Sequence, residues 1–183
     1  MKKDNDKKIL DLIGNDSTFD QGISLLINTY QERLYWHIRR MVHRHEDTDD
    51  VMQNVFIKVF KNIKNFKAES KLYTWLYRIA TNEAINFIKK QKPNVELDSI
   101  INDQNAVMAD PYFDADHAQV ILKKAIETLP EKQMIVFNLR YYDEMSYSDM
   151  SDTLGTSIGA LKASFHHAVK KVELYLKNNI QTI

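Results

Sequence analysis

Between positions 65 and 92 the chain reads NFKAESKLYTWLYRIATNEAINFIKKQK, a stretch in which rings and cations alternate. Phe66, Tyr73, Trp75, Tyr77 and Phe87 interleave with Lys67, Lys71, Arg78, Lys89 and Lys90. An unpaired base needs a π-face to stack on and its phosphates need cations, so the mixture suits capture of single-stranded nucleic acid. Asn82 and Asn86 stand one helical turn apart, and an amide can both donate to and accept from a base edge. The plainer alternative sets the rings in a core and leaves the lysines to solvate the outer face. For Trp75 the core is the expectation; for Asn82, Asn86 and Lys89 it is nucleic-acid contact.

A second segment, SYSDMSDTLGTSIGALKASFHHAVKKV at 146–172, has the layout of a helix-turn-helix. A short helix ends at Gly155, a tight turn follows, and Ser157 opens a longer helix that can enter a major groove about 12 Å wide. Met150, Leu154, Ile158, Leu161, Phe165 and Val169 form the expected packing face, with Gly159, Lys162, Ala163, His166 and Lys170 outward. Asp143, Glu144, Asp149 and Asp152 precede the turn, whereas Lys162, Lys170 and Lys171 follow it, which turns the second helix toward phosphates. The same layout fits a plain αα-hairpin in a helical core, and taken alone it does not choose between the two.

The histidines do not form a metal site. His166 and His167 are adjacent, so on a helix they face apart and chelate poorly. His37, Met41, His43 and His45 cluster near the end of one helix, with no carboxylate expected to join them. HExxH and a glycine-rich phosphate loop are absent from the sequence, and no catalytic residue, cofactor or metal ligand is assigned.

The elements that must position these groups are helical. Apolar spacing from Phe19 to Val42 predicts a helix over 17–45 capped by Asp16 or Ser17. Val51, Val55, Phe56, Val59, Phe60 and Ile63 predict a second, with Thr48 as its cap. A third covers about 71–91, followed by a linker at 93–112 that holds Pro93, Pro111 and many Asp and Asn. Further helices are expected near 113–128, 130–141 with Pro130 in first position, 146–154, and 157 to about 178. The fold class is therefore all-α: two small helical domains, 1–92 and 113–183, joined by the acidic linker 93–112.

Composition bounds what such a chain can be. It has 183 residues, 44% of them hydrophobic, enough for one medium or two small cores. Four glycines and three prolines disfavour turn-rich β architectures, and the absence of cysteine excludes a disulfide scaffold, thiolate ligands and a thiol nucleophile. The N-terminus lacks the apolar core of a signal peptide, and no apolar run approaches the roughly 20 residues of a membrane span, so no membrane insertion and a cytoplasmic location are expected. The formal net charge is zero, but it is unevenly spread: residues 21–92 hold 13 basic and 7 acidic residues, and 93–119 hold no basic and 6 acidic ones. A basic working surface follows, beside an acidic strip that either stays solvated or shields that surface.

Two blocks carry a family resemblance. DTDDVMQNVFIKVFKNIKNF followed by KLYTWLYRIATNEAINFIKK resembles region 2 of the group IV, or extracytoplasmic function, sigma factors of bacterial RNA polymerase. LPEKQMIVFNLRYYDEMSYSDMSDTLGTSIGALKASFHHAVKKV resembles their region 4. The resemblance covers about 23–92 and 118–176.

The resemblance implies partners and roles. The helix matching 49–61 docks on the coiled coil of the polymerase β′ clamp, through Asp49, Asp50, Gln53, Asn54, Phe56 and Ile57, with Val59 on the same stretch. The family commonly has Glu where Asn54 stands. The loop matching 66–71 and the helix after it bind the −10 element and hold a flipped base, through Phe66, Lys71, Tyr73, Arg78, Asn82, Asn86, Lys89 and Lys90. The helix matching 157–171 reads the −35 element, through Ser157, Gly159, Ala160, Lys162, Ala163, Ser164, His166, His167 and Lys170. Arginine is common in the family where Ser164, His167 and Val169 stand, and fewer cations mean a shallower salt dependence. Ile135, Val136, Leu139 and Tyr142 would seat on the β-flap tip. An anti-sigma factor is the further partner implied, and the free chain is expected to be a monomer. Against this stands a helix-turn-helix regulator with a helical sensor domain, acting without polymerase; a reader of duplex alone has little use for the aromatic–basic segment.

Overall fold

The computed structural model describes residues 2–91 and 117–180; the linker at 93–112 and the start of the helix expected from 113 lie outside them. The described residues form eight α-helices and one 3₁₀ turn, with no strand among them, so the chain is all-α. These residues pack as two compact units, one made of 2–88 with 148–155, the other of 89–91 and 117–147 with 156–180.

In the first unit apolar side chains recur about every fourth residue, and each recurrence becomes one buried stripe. Helix α2 (Phe19–Val42) buries Leu26, Tyr30, Leu34, Ile38 and Met41. Helix α3 (His45–Asn62) buries Val51, Val55 and Val59, and the 3₁₀ turn Ile63–Asn65 adds Ile63. Helix α4 (Leu72–Gln91) buries Leu72, Leu76, Tyr77, Ala80 and Ala84. Each large apolar side chain so buried contributes about 1.5–3 kcal/mol. One polar pair bridges α2 and α4 inside this interior: His37 Nε2 lies 2.9 Å from Thr81 Oγ1, both buried, with the imidazole tilted on the Tyr77 ring.

Helix α1 (Lys2–Ile13) has no counterpart in the sequence expectation. It packs on α2 at Gly22, where a Cβ would stand 2.7 Å from Ile13 Cγ1 and 2.9 Å from the Ile13 backbone nitrogen. Only a residue without a side chain lets the two backbones approach so closely. Ile9 and Ile13 are buried, and the Tyr30 hydroxyl donates to the Asp6 carboxylate. Burial first, and then Asp6, raise the Tyr30 hydroxyl well above its ordinary range.

Helix termini depart from expectation in several places. The residue before α2 is Thr18, without a side-chain cap bond; its hydroxyl donates instead to the Leu12 carbonyl. Asp16 pairs with Lys64 at 2.6 Å and is not the cap, and the Lys64 ammonium holds its carboxyl below the usual range. Helix α3 begins earlier than expected, so Thr48 lies inside it and donates back to the Arg44 carbonyl. Pro130 stands one position before α6, where its missing N–H costs nothing.

The second unit holds α5 (His117–Glu127), α6 (Glu131–Tyr141) and α8 (Ile158–Ile180). Its core joins Ala125, Ile126, Leu129, Met134, Phe137, Ala168 and Val172, with the Phe137 and Phe165 rings stacked at 5.8 Å. Helix α7 (Tyr147–Leu154) packs with the first unit. It ends at Gly155, whose φ of +62° is the left-handed conformation that glycine adopts without strain.

Candidate nucleic-acid interface

The loop between the 3₁₀ turn and α4 sets the geometry of the first surface. The Phe66 N–H closes on the Ile63 carbonyl at 3.0 Å, Ala68 turns the chain at φ +55°, and the Trp75 N–H bonds the Lys71 carbonyl at 3.1 Å to start the helix. This brings the rings of Phe66 and Trp75 together, centroids 5.3 Å apart. They form one wall of an open cleft of about 480 Å³, with Lys67, Ser70, Arg78 and Asp152 among the other lining residues. Trp75 is therefore not a core residue, as expected, but half-buried at a cleft. Its spacing within the segment resembled that of the buried Leu72 and Leu76, and nothing local distinguished the two environments.

Along α4, Arg78, Asn82, Asn86 and Lys90 recur at four-residue spacing, and all are exposed, as are Lys71 and Lys89. Phe66 and Tyr73 are half-buried. Lys71 Nζ lies 3.0 Å from Asp149 Oδ2 and 5.6 Å from the centre of the Tyr73 ring. The Arg78 guanidinium donates to the Asp152 carbonyl. Burial, then the Asp149 carboxylate beside it, raise the Tyr73 hydroxyl above its ordinary range.

A second surface lies on α3. Asp49, Asp50, Gln53, Asn54 and Ile57 are exposed, Phe56 is half-buried and Val59 is buried. Phe60, expected to join the apolar packing face, is instead 54% exposed beside Ile57 at 46%, edge-on to Phe19. Ile57 and Phe60 thus add exposed apolar side chains to the rim of an acidic, amide-rich helix face. Asn54 turns its amide back to the Asp50 carbonyl at 2.9 Å. A carboxylate does join the histidines after all: Asp49 lies 3.6 Å from His45 Nδ1, which also meets the Tyr35 hydroxyl at 2.7 Å.

The third surface is α8. Ser157 Oγ accepts the Ala160 N–H at 3.3 Å and caps the helix as its sequence predicts. Ser157, Gly159, Ala160, Lys162, Ala163, His166, His167 and Lys170 are exposed and Ser164 is half-buried. Lys162 Nζ stands 5.8 Å from the centre of the Tyr147 ring, which also receives Arg140 at 5.3 Å. Ile158, expected in the packing face, is 42% exposed, because the buried stripe of α8 runs through Leu161, Ala168 and Val172. Ile135, Val136 and Leu139 are buried, so they offer no apolar surface; the exposed rings at that end of α6 are Tyr141 and Tyr142.

Two family models match this chain: Sigma-70 region 2 over residues 26–93, and Sigma-70 region 4 over residues 119–172. Together they span the three surfaces. The chain belongs to the sigma-70 family of RNA polymerase sigma factors. The sigma factor is 28% identical over 164 residues to the ECF RNA polymerase sigma factor SigW of Bacillus subtilis, covering 84% of this chain and 88% of that protein. It is 29% identical over 174 residues to the ECF RNA polymerase sigma-E factor of Haemophilus influenzae, covering 89% of each. It shares its fold with the sigma factor RpoE of Bartonella quintana, solved in complex with the anti-sigma factor NepR, at a TM-score of 0.65 and 22% identity over 88% of this chain and 98% of that one. Its group is thus the extracytoplasmic function one, and its function is to direct core RNA polymerase to promoters and initiate transcription there. The regulator acting without polymerase is not supported. No described helix is long and apolar enough to cross a membrane.

Proposed function

We propose that the sigma factor divides its work among the three surfaces, within modules at 1–92 and 113–183 and a linker at 93–112. The α3 face, with Asp49, Asp50, Gln53, Asn54, Phe56 and Ile57, docks on the β′ clamp coiled coil, and the exposed Phe60 extends it. The loop at 66–71 and α4 take the melted −10 strand: Phe66 and Tyr73 by stacking, Lys71, Arg78, Lys89 and Lys90 at phosphates, Asn82 and Asn86 at base edges. Helix α8 reads the −35 duplex through Ser157, Gly159, Ala160, Lys162, Ala163, Ser164, His166, His167 and Lys170. Tyr141 and Tyr142 meet the β-flap. The chain performs no covalent step itself, acts in the cytoplasm where polymerase meets DNA, is a monomer when free, and has an anti-sigma factor as a further partner.

The single observation that carries this reading is the cleft walled by Phe66 and Trp75 and edged by Arg78, continuous in sequence with the exposed Asn82–Asn86 pair. Extruding a base costs a few kcal/mol, and an aromatic cleft with polar groups is what offsets it. The test is transcription reconstituted with purified core enzyme. Asn82→Ala is expected to slow open-complex formation more than it weakens core binding, and Gln53→Ala to do the reverse. Equal loss of both activities in either variant rejects the division of labour.

A further inference from the structure

Inside the first unit, two contacts lead from one buried histidine to the strand-binding face. His37 of α2 is fully buried, and its Nε2 meets Thr81 Oγ1 of α4 at 2.9 Å. Thr81 is itself buried and directly precedes the exposed Asn82. The His37 ring also packs on Tyr77, centroids 4.9 Å apart, and the buried Tyr77 meets the half-buried Tyr73 edge-on at 6.2 Å. Tyr77 and Thr81 stand one helical turn apart, so a single side chain of α2 engages one stripe of α4 at two successive turns. The buried residues beside the pair on these two helices, Leu34, Ile38, Leu76 and Ala80, are apolar. Apolar packing has no direction and tolerates a small turn of one helix on another, whereas a hydrogen bond does not. A slip of α4 by one residue turns its side chains by about 100° and unmakes the bond with both groups still buried.

We propose that His37 is a positioning residue of the strand-binding face: through Thr81 it fixes the rotation at which α4 presents Asn82, and through Tyr77 it backs the Tyr73 ring. The inference rests on the assignment of α4 to the melted strand. Both members of the pair are buried, so neither reaches DNA. They act by setting where an exposed amide and a ring stand, and an amide reads a base edge only when it is held in line with it.

The test uses holoenzyme reconstituted from the full chain and purified core enzyme, with genomic DNA as the probe. Permanganate oxidation of unpaired thymines upstream of the sequenced transcript starts reads the rate of opening. Thr81→Val keeps the side chain's shape and removes the hydroxyl; it is expected to slow opening about ten-fold, the size of one unmade buried hydrogen bond, with core binding unchanged. Thr81→Ser, which restores the hydroxyl, is expected to recover most of the rate. His37→Phe keeps a ring on Tyr77 and loses the bond, and it is expected to match Thr81→Val; a wild-type rate in it overturns the role of His37. A double-mutant cycle separates aim from folding. In the Asn82→Ala background Thr81→Val is expected to slow opening by about two-fold at most, because the group it aims is gone. The full loss in both backgrounds, or a wild-type rate in a folded Thr81→Val chain, overturns the proposal. If Asn82→Ala slows opening and Thr81→Val does not, the strand-binding face stands and the positioning role falls. If Asn82→Ala alone changes nothing, the face itself is misassigned, and the positioning role falls with it. Should Thr81→Val fail to fold, Thr81→Ala, which removes the hydroxyl and puts no methyl in its place, goes through the same cycle and the same outcomes decide.

Discussion

The rings of Phe66 and Trp75 meet at 5.3 Å across the entrance to α4, and Arg78 lines the cleft beside them. The two residues are nine positions apart, and the 3₁₀ turn with the Ala68 bend brings them together. Trp75 thereby becomes an accessible π-surface. Trp75→Ala is expected to weaken binding of single-stranded −10 DNA by about 1–3 kcal/mol, the worth of one stacked base. Trp75→Phe should recover most of it. Fluorescence anisotropy with a labelled oligonucleotide checks both, and equal affinity of Trp75→Ala and wild type would remove the ring from the interface.

Lys162 projects from the exposed face of α8 near the Tyr147 ring. Lys162→Ala is expected to weaken duplex promoter binding and to lower the slope of log affinity against log salt by about one unit, the signature of one lost phosphate contact. Binding measured across a salt series provides the check. A lower affinity with an unaltered slope would point to a base contact or a packing defect instead.

Gly22 is where α1 touches α2. Gly22→Ala forces a Cβ to within 3 Å of the Ile13 backbone, which a side-chain rotation cannot relieve. The cost is expected to be about 1–3 kcal/mol. Chemical denaturation measures it, and hydrogen exchange should show α1 losing protection first. Trimming Ile13 in the same chain should restore only part of the loss, because the nearer obstacle of the two that remains is main chain.

Alkaline pH should destabilise the fold through Tyr30. Its hydroxyl ionises in the unfolded chain near the ordinary tyrosine value of about 10 but stays protonated in the folded one. Above that pH the unfolded state binds fewer protons than the native state, so stability falls as pH rises, while below it the contribution is fully present. Tyr73 adds to the same trend. Thermal melts across pH 9 to 11, a window set by that value of about 10, are expected to decline, and less steeply in Tyr30→Phe. An equal slope in both chains would assign the decline elsewhere.

What the sequence determined by itself was periodic or modular. Valines at 51, 55 and 59 can only be one face of a helix, and the exposed Arg78, Asn82 and Asn86 follow from the same count along α4. Gly155 with Ser157 marked the end of one helix and the cap of the next because backbone conformation and hydrogen-bond need are local. The two family blocks were likewise legible, since their residues lie in unbroken runs. Tertiary structure alone decided which of two equally apolar-looking residues met solvent. Trp75 and Phe60 came to the surface and Ile135 and Val136 went inside, because burial depends on what the neighbouring helix covers. It alone brought Asp149 to Lys71 and Ile13 to Gly22, contacts between residues whose separation along the chain leaves no periodic trace. The local rules fix each helix and the face it must hide; the packing of helices against one another fixes which partner hides it.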